Sequence, residues 1–336
     1  MNPRLLIRGR ALTPAEARAY RCSMRVLGPN EVVAALDFPD LIEALRRTLR
    51  CKDIVKPKQQ CHAITLPAGR AGRLEIAPAW QDGRNLGIEV TTVFPDETAC
   101  GATPALGSYL LLDGCTGRLL AFLDGPALTA RRTAATSALA ATYLARPDCE
   151  RLLMIGTGAL ASHLVEAHAS VRPIRKVLVW DGDFDKAMRW AQRMTRRTLQ
   201  VAATDDLQRA VTGAEVICCA VATAKPLLLG HWLPLGTHID LIPGPATDAC
   251  TAADDETLRR ASVFVEARPA ALAGAGDGDT AIGAIRIAEI DGDLVELCRG
   301  SHPGRQFDDE ITLFRSGDLG FLNLAAAQLA LESSTT

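Results

Sequence analysis

The chain has 336 residues, 48% of them apolar, and a formal net charge of −2, which is enough length for two domains with a sizeable core. Three Tyr and four Trp with no basic surface leave no footprint for nucleic acid, and no run reaches the roughly 18 uninterrupted apolar residues of a membrane span, so the cytoplasm is the expected compartment. Ten cysteines spread from Cys22 to Cys298 without a CxxC pair read as free thiols rather than a disulfide framework, and the scattered histidines, His163 and His168 being five apart, predict no metal site.

To about residue 124 the chain mixes a helical stretch, "FPDLIEALRRTLR", with strand-like pieces, "GRLEIAPAW", "LGIEVTTVF" and "SYLLLDGCTGRLLAFLDG". Strands separated by turn residues predict a mixed sheet. A helix follows in "GPALTARRTAATSALAATYLARP", with Pro126 near its start, an alanine-rich body and Pro147 closing it. From 151 onward strand and helix alternate six times, through "RLLMI", "KVLVW", "LQVAA", "EVICCAV", "THIDLI" and "SVFVEA". That alternation predicts a doubly wound parallel sheet. After 268 the regularity stops: "PAALAGAGDGDTAIGAI" suits either a loop near a ligand or an interdomain connection. The tail "DDEITLFRSGDLGFLNLAAAQLALES" ends in an apolar-periodic helix.

The stretch "LLMIGTGALASHLVEAH" is the first strand-to-helix turn of this alternation, and Gly156, Gly158 and Ala161 fill the GxGxxG/A pattern of a dinucleotide site. In that role Gly156 makes the tight turn, Gly158 lets backbone approach a pyrophosphate, and Ala161 is small enough for helix to pack on strand. The amides around Thr157, Ala159 and Leu160 would face the anion at the helix N-terminus. Asp181 stands 20 positions after Ala161 at the end of the next strand, where a carboxylate accepts from the adenine-ribose hydroxyls and repels a 2′-phosphate. NADH is therefore the expected cofactor, with NADP possible. The structural alternative for Asp181 is the N-cap of the helix beginning near Phe184.

At "LTARRTAATSALAATYLAR" joined to "LLMIGTGALASHLVEAH", and again in "PAW", "YLLLDGCTGRLLAFLDG", "RPIRKVLVWD" and "DDEITLF", the sequence resembles the ornithine cyclodeaminase/mu-crystallin family over about residues 30 to 330. The resemblance implies a Rossmann-type doubly wound parallel sheet plus an α+β substrate and dimerisation domain, with residues 1–124 and 303–336 forming the latter and 125–302 the NAD(P)-binding domain. It also implies a homodimer and a small imino or amino acid substrate. Carried over by position, Arg132 is the substrate-carboxylate arginine, a role suited to a planar guanidinium fork, and Lys58 falls near a second basic ligand. The alternative for Arg132 is a salt bridge at a helix start, which its neighbour Arg131 could serve instead.

Three departures bear on the reaction. The cyclodeaminases' acid/base aspartate corresponds to Pro245 in "DLIPGPATDA", the lysine before the "VTTVFP" strand corresponds to Glu89, and a glycine after "FRS" corresponds to Asp318. The expected activity is then reduction of a cyclic ketimine, such as Δ1-pyrroline-2-carboxylate or Δ1-piperideine-2-carboxylate, to proline or pipecolate. Arg132, Lys58 and Glu89 are its candidate catalytic residues. Ornithine cyclodeamination and a silent, crystallin-like NAD(P)-binding protein are the alternatives. A one-residue shift of the Glu89 strand would turn that acid to solvent.

Overall fold

The computed structural model describes residues 6–7, 10–11, 24–51, 54–55, 57, 59–65, 71–94, 105–223, 225–242, 252–268, 281–282, 285–286, 289–317 and 319–334. Lys58, Pro245, Asp318 and nearly all of the glycine-rich segment after 268 lie outside them. The chain divides into two compact units, Met1–Ala35 with Asp53–Leu128 and Ala327–Thr336, and Leu36–Lys52 with Thr129–Ala326.

The first unit is built on a sheet of seven described strands. Ala71–Gln81, Asn85–Val93, Ala105–Asp113 and Leu119–Asp124 run antiparallel in succession, Arg25–Leu27 pairs parallel to the last of these, and Ile54–Val55 and Gln60–Thr65 both pair with the first. Period-two alternation gives it two unlike faces. Ala79, Tyr109, Leu111, Ala121 and Leu123 are buried on one. Glu89, opposite Ala77 and Tyr109 in the register, belongs to this inner face. Gly87 is there for a steric reason: a Cβ at that position would run into the Tyr109 hydroxyl. The other face carries exposed apolar side chains, with Leu106 63%, Val26 59% and Phe122 38% accessible.

Among the described residues the second unit contains eight parallel strands in the order Gln200–Ala203, Lys176–Trp180, Arg151–Ile155, Val216–Cys219, His238–Leu241, Ile311–Arg315, Ala261–Val265 and Gly292–Asp293. The order reverses between Arg151–Ile155 and Val216–Cys219, the switch point where such sheets bind ligands. Strands covered on both sides read as continuous apolar runs, and "RLLMI" and "VICC" are buried along nearly their whole length. One face is an apolar core of Leu153, Ile155, Ile217, Ile239, Leu241, Val263 and Leu313.

The domain boundaries differ from the expected ones in two places. Ile311–Arg315 lies between His238–Leu241 and Ala261–Val265, so residues 303–326 belong with the parallel sheet. "ITLFR" is short and apolar, and only its partners on both edges distinguish it from the beginning of the terminal helix. Helix Phe38–Arg50 likewise belongs to the second unit. It buries Phe38, Leu41, Ile42, Leu45 and Leu49, and Arg299 donates to the carbonyls of Leu49 and Cys51 at its end, satisfying acceptors that a helix terminus leaves open.

Candidate cofactor and substrate site

Strand Arg151–Ile155 ends at Gly156, whose φ of 101° is a left-handed conformation that disfavours any side chain. A Cβ there would also lie 2.6 Å from Val221 Cγ1 and 2.9 Å from the Ala220 carbonyl oxygen, so only glycine closes the turn. Gly158 is the N-cap of helix Ala159–Val171, and no side chain among the described residues caps it. A Cβ at Gly158 would meet nothing within 4 Å. An open approach to uncapped first-turn amides at Ala159 and Leu160 is what a pyrophosphate requires, and buried Ala161 keeps the helix close to the sheet. These residues fit a dinucleotide.

Asp181 follows strand Lys176–Trp180. Its Oδ2 accepts from the Thr157 amide at 3.1 Å and hydroxyl at 2.6 Å, and its Oδ1 accepts from the Asp183 amide at 3.0 Å. Partial burial raises its carboxyl pKa, but the hydrogen bonds from Thr157 and Asp183 and the nearby Lys186 outweigh this and hold it below the ordinary value. The group is an anion tied to the glycine-rich turn through Thr157. The N-cap of helix Phe184–Met194 is Asp183, which accepts from the Lys186 amide, so the structural alternative for Asp181 falls away. Lys186 places its ammonium 3.9 Å from Asp183 and also lies close enough to Asp181 to lower its pKa.

Arg132 lies inside helix Gly125–Leu144 and is 2% exposed. Its Nε donates to Asn323 Oδ1 at 2.9 Å, and its Nη1 lies 3.7 Å from Glu266 Oε1. Asn323 Nδ2 donates to Thr129 at 3.3 Å. Glu266 directly follows strand Ala261–Val265 and is also buried. Its Oε2 accepts from the Gly317 amide at 2.6 Å and its Oε1 from the Leu319 amide at 3.3 Å. Arg131 has the structural part: it stacks on Phe38 at 3.6 Å, donates from Nε to the Leu36 carbonyl, and pairs with Glu166 at 3.4 Å. Both arginines are thus charge-paired: Arg131 with Glu166 while stacked on Phe38, and Arg132 with the buried Glu266 while hydrogen-bonded to Asn323.

Sequence reading missed Glu266 and Asn323. The available signal was a lone acid ending the apolar run "SVFV" and a lone amide inside "FLNLAAA", since polar groups within apolar stretches are buried only with partners. It also missed a polar row on the sheet face opposite the apolar core. His168 Nε2 is 3.4 Å from Asp240 Oδ2, Cys218 is the register neighbour of Asp240, and His238 Nδ1 lies 3.0 Å from Thr312 Oγ1. His168, Cys218 and Asp240 bring possible metal-donor atoms within 4.8 Å of one another, a grouping that their separation in sequence concealed when no metal site was expected. Burial, with Asp240 and Cys219 nearby, pushes the Cys218 thiol well up. Burial, with His168, Arg305 and Arg172 adding to it, pushes His238 well down and keeps it neutral.

The model of the ornithine cyclodeaminase/mu-crystallin family matches residues 26–335. The Δ1-pyrroline-2-carboxylate reductase of Paracoccus denitrificans is 35% identical over 306 residues, covering 90% of this chain and 94% of its own. The ketimine reductase mu-crystallin of Rattus norvegicus is 29% identical, covering 82% and 85%. Among solved structures, Thermococcus litoralis Δ1-pyrroline-2-carboxylate reductase in complex with NADH and L-proline superposes with a TM-score of 0.79 at 27% identity, covering 93% of this chain and 98% of that one. With a glycine cradle and acid built for a dinucleotide, and a match spanning both units, the chain belongs to the ornithine cyclodeaminase/mu-crystallin family.

Proposed function

We propose that this protein is an NAD(H)-dependent imino acid reductase that converts a cyclic ketimine, Δ1-pyrroline-2-carboxylate or Δ1-piperideine-2-carboxylate, to proline or pipecolate. The cradle from Gly156 to Asp181 carries the reading, together with relatives named for that reaction. Bound NADH supplies the hydride. Residues Gly156 to Leu160 and Asp181 hold the dinucleotide, and Arg132 receives the substrate carboxylate with its guanidinium already oriented by Asn323 and Glu266. Orientation is the main task left to the protein when a cofactor brings the reactive group. An iminium that arrives protonated needs no acid from the chain, so Pro245 in place of an aspartate harms reduction less than cyclodeamination.

Glu89 and Lys58 complete the candidate set on the strength of the resemblance. The exposed apolar face bearing Leu106, Val26 and Phe122 supports a homodimer, because apolar patches of this kind mark association surfaces. Free cysteines, seven among the described residues and three of them exposed, support a reducing, cytoplasmic setting. No helix among the described residues is long and apolar enough to cross a membrane. The test is a panel of imino acids with NADH and NADPH, followed at the nicotinamide absorbance band. Oxidation of NADH with either cyclic ketimine is expected. Release of ammonia and proline from ornithine with catalytic NAD, without ketimine reduction, would replace this reading with the cyclodeaminase, and NADH binding without turnover on any substrate would leave only the silent binder.

A further inference from the structure

We infer that Glu266 is a specificity-determining residue that makes the site select a zwitterionic imino acid over a 2-oxo acid. This rests on the assignment of Arg132 to the substrate carboxylate. A dinucleotide whose adenine ribose met Asp181, one strand to one side of Arg151–Ile155, would place its nicotinamide half on the other side, toward the carboxyl ends of Val216–Cys219, His238–Leu241 and Ile311–Arg315. Glu266 stands at that same edge, immediately after Ala261–Val265. Its carboxylate is anchored by the Gly317 and Leu319 amides and lies 3.7 Å from Arg132.

The argument is one of charge. Lys58 and Glu89 cancel one another in charge, so Arg132 without Glu266 would leave the site at +1 and able to bind any small carboxylate. With Glu266 beside it the pair is neutral, and a second anion entering alone leaves one buried negative charge uncompensated. A 2-oxo acid is such an anion. A protonated ketimine carries its carboxylate to Arg132 and its iminium within range of Glu266, so the total stays at zero. The same carboxylate stabilises the protonated imine once bound, keeping it ready to accept hydride at carbon while the C=N electron pair goes to nitrogen. Discrimination of this kind works by penalising the wrong ligand as well as favouring the right one.

The test uses the full-length protein and compares Glu266→Gln, Glu266→Asp and Arg132→Ala. In Glu266→Gln, pyruvate should bind about tenfold more tightly by calorimetry, kcat/KM for Δ1-pyrroline-2-carboxylate should fall by about tenfold, and the alkaline limb of the kcat profile should move down by about one pH unit, as expected when one charge is removed at close range. Because removing one partner of a buried pair can unfold a protein, Glu266→Asp carries the test if the Gln variant fails to fold. It keeps the charge and should retain the wild-type preference for ketimine over pyruvate and the wild-type pH limb. Unchanged pyruvate affinity and pH profile in a folded Gln variant, or loss of the preference in the Asp variant, would overturn the role of Glu266. Arg132→Ala separates this from failure of the underlying assignment. Normal ketimine kinetics in that variant would remove Arg132 from the site, whereas an inactive Arg132→Ala that still binds NADH, beside an unaltered Glu266→Gln, would count against Glu266 alone.

Discussion

Asp181 is proposed to set the cofactor preference through position as much as charge, because Thr157 donates to it from both amide and hydroxyl and ties it to the glycine-rich turn. A 2′-phosphate placed about 4 Å from this carboxylate is disfavoured by on the order of 2 kcal/mol at an effective dielectric near 20 with partial screening, a preference of tens-fold. Steady-state kinetics should show that preference for NADH in the wild type, and Asp181→Ser should reduce it to within a few-fold; equal efficiency with both cofactors in the wild type would refute the argument. Glu89 is the second residue of this kind. Its register opposite Tyr109 puts it on the inner face of its sheet, so the solvent-facing alternative does not hold. Glu89→Lys reverses a charge on that face and is expected to change kcat/KM for Δ1-pyrroline-2-carboxylate by about tenfold or more. Kinetics identical to wild type would remove Glu89 from the substrate pocket.

At the scale of elements, the parallel sheet has an apolar face and a face carrying Cys218, His238, Asp240 and Thr312, all buried. The polar face links strands to helices: His168 of Ala159–Val171 meets Asp240, and Thr312 donates to the Leu144 carbonyl at the end of Gly125–Leu144. His238 is pushed well down, burial being the largest cause, and His163 is also lowered, by burial and then by Arg131. Both histidines are therefore neutral in the fold and take up protons when it unfolds. The unfolded chain binds more protons below its histidine pKa of about 6.5, so stability rises with pH through that region and is lost as pH falls below it. Melting temperature should decline from pH 7 towards pH 5, with a shallower decline in His238→Gln if the variant folds. Asp181 and Asp254, both held below the ordinary carboxylate range despite burial, lose their contribution in a separate window below about pH 4. A flat melting temperature between pH 7 and 5 would show that these buried imidazoles do not control the acid limb.

For the molecule as a whole, the proposed homodimer would cover the exposed apolar face of the sheet of seven described strands. Leu106→Glu with Phe122→Glu places two charges on it, and sedimentation is expected to give a dimer for the wild type and a monomer for this variant; a monomeric wild type would contradict the proposal. Local patterns in the sequence determined much of this protein: the glycine spacing at 156 to 161, the acid at 181, the alanine-rich helix after Pro126 and the alternation from 151 onward are each set by backbone sterics or by hydrophobic period within a few residues. The tertiary structure alone decided the rest. Ile311–Arg315 is a central strand because two distant strands pair with it, helix Phe38–Arg50 belongs to the second unit because Arg299 closes its end, and Glu266 meets Arg132 across 134 positions of chain. Pairing between remote segments and the burial of charges against one another leave no periodic trace in sequence, because their energies depend on which surfaces the folded chain brings together.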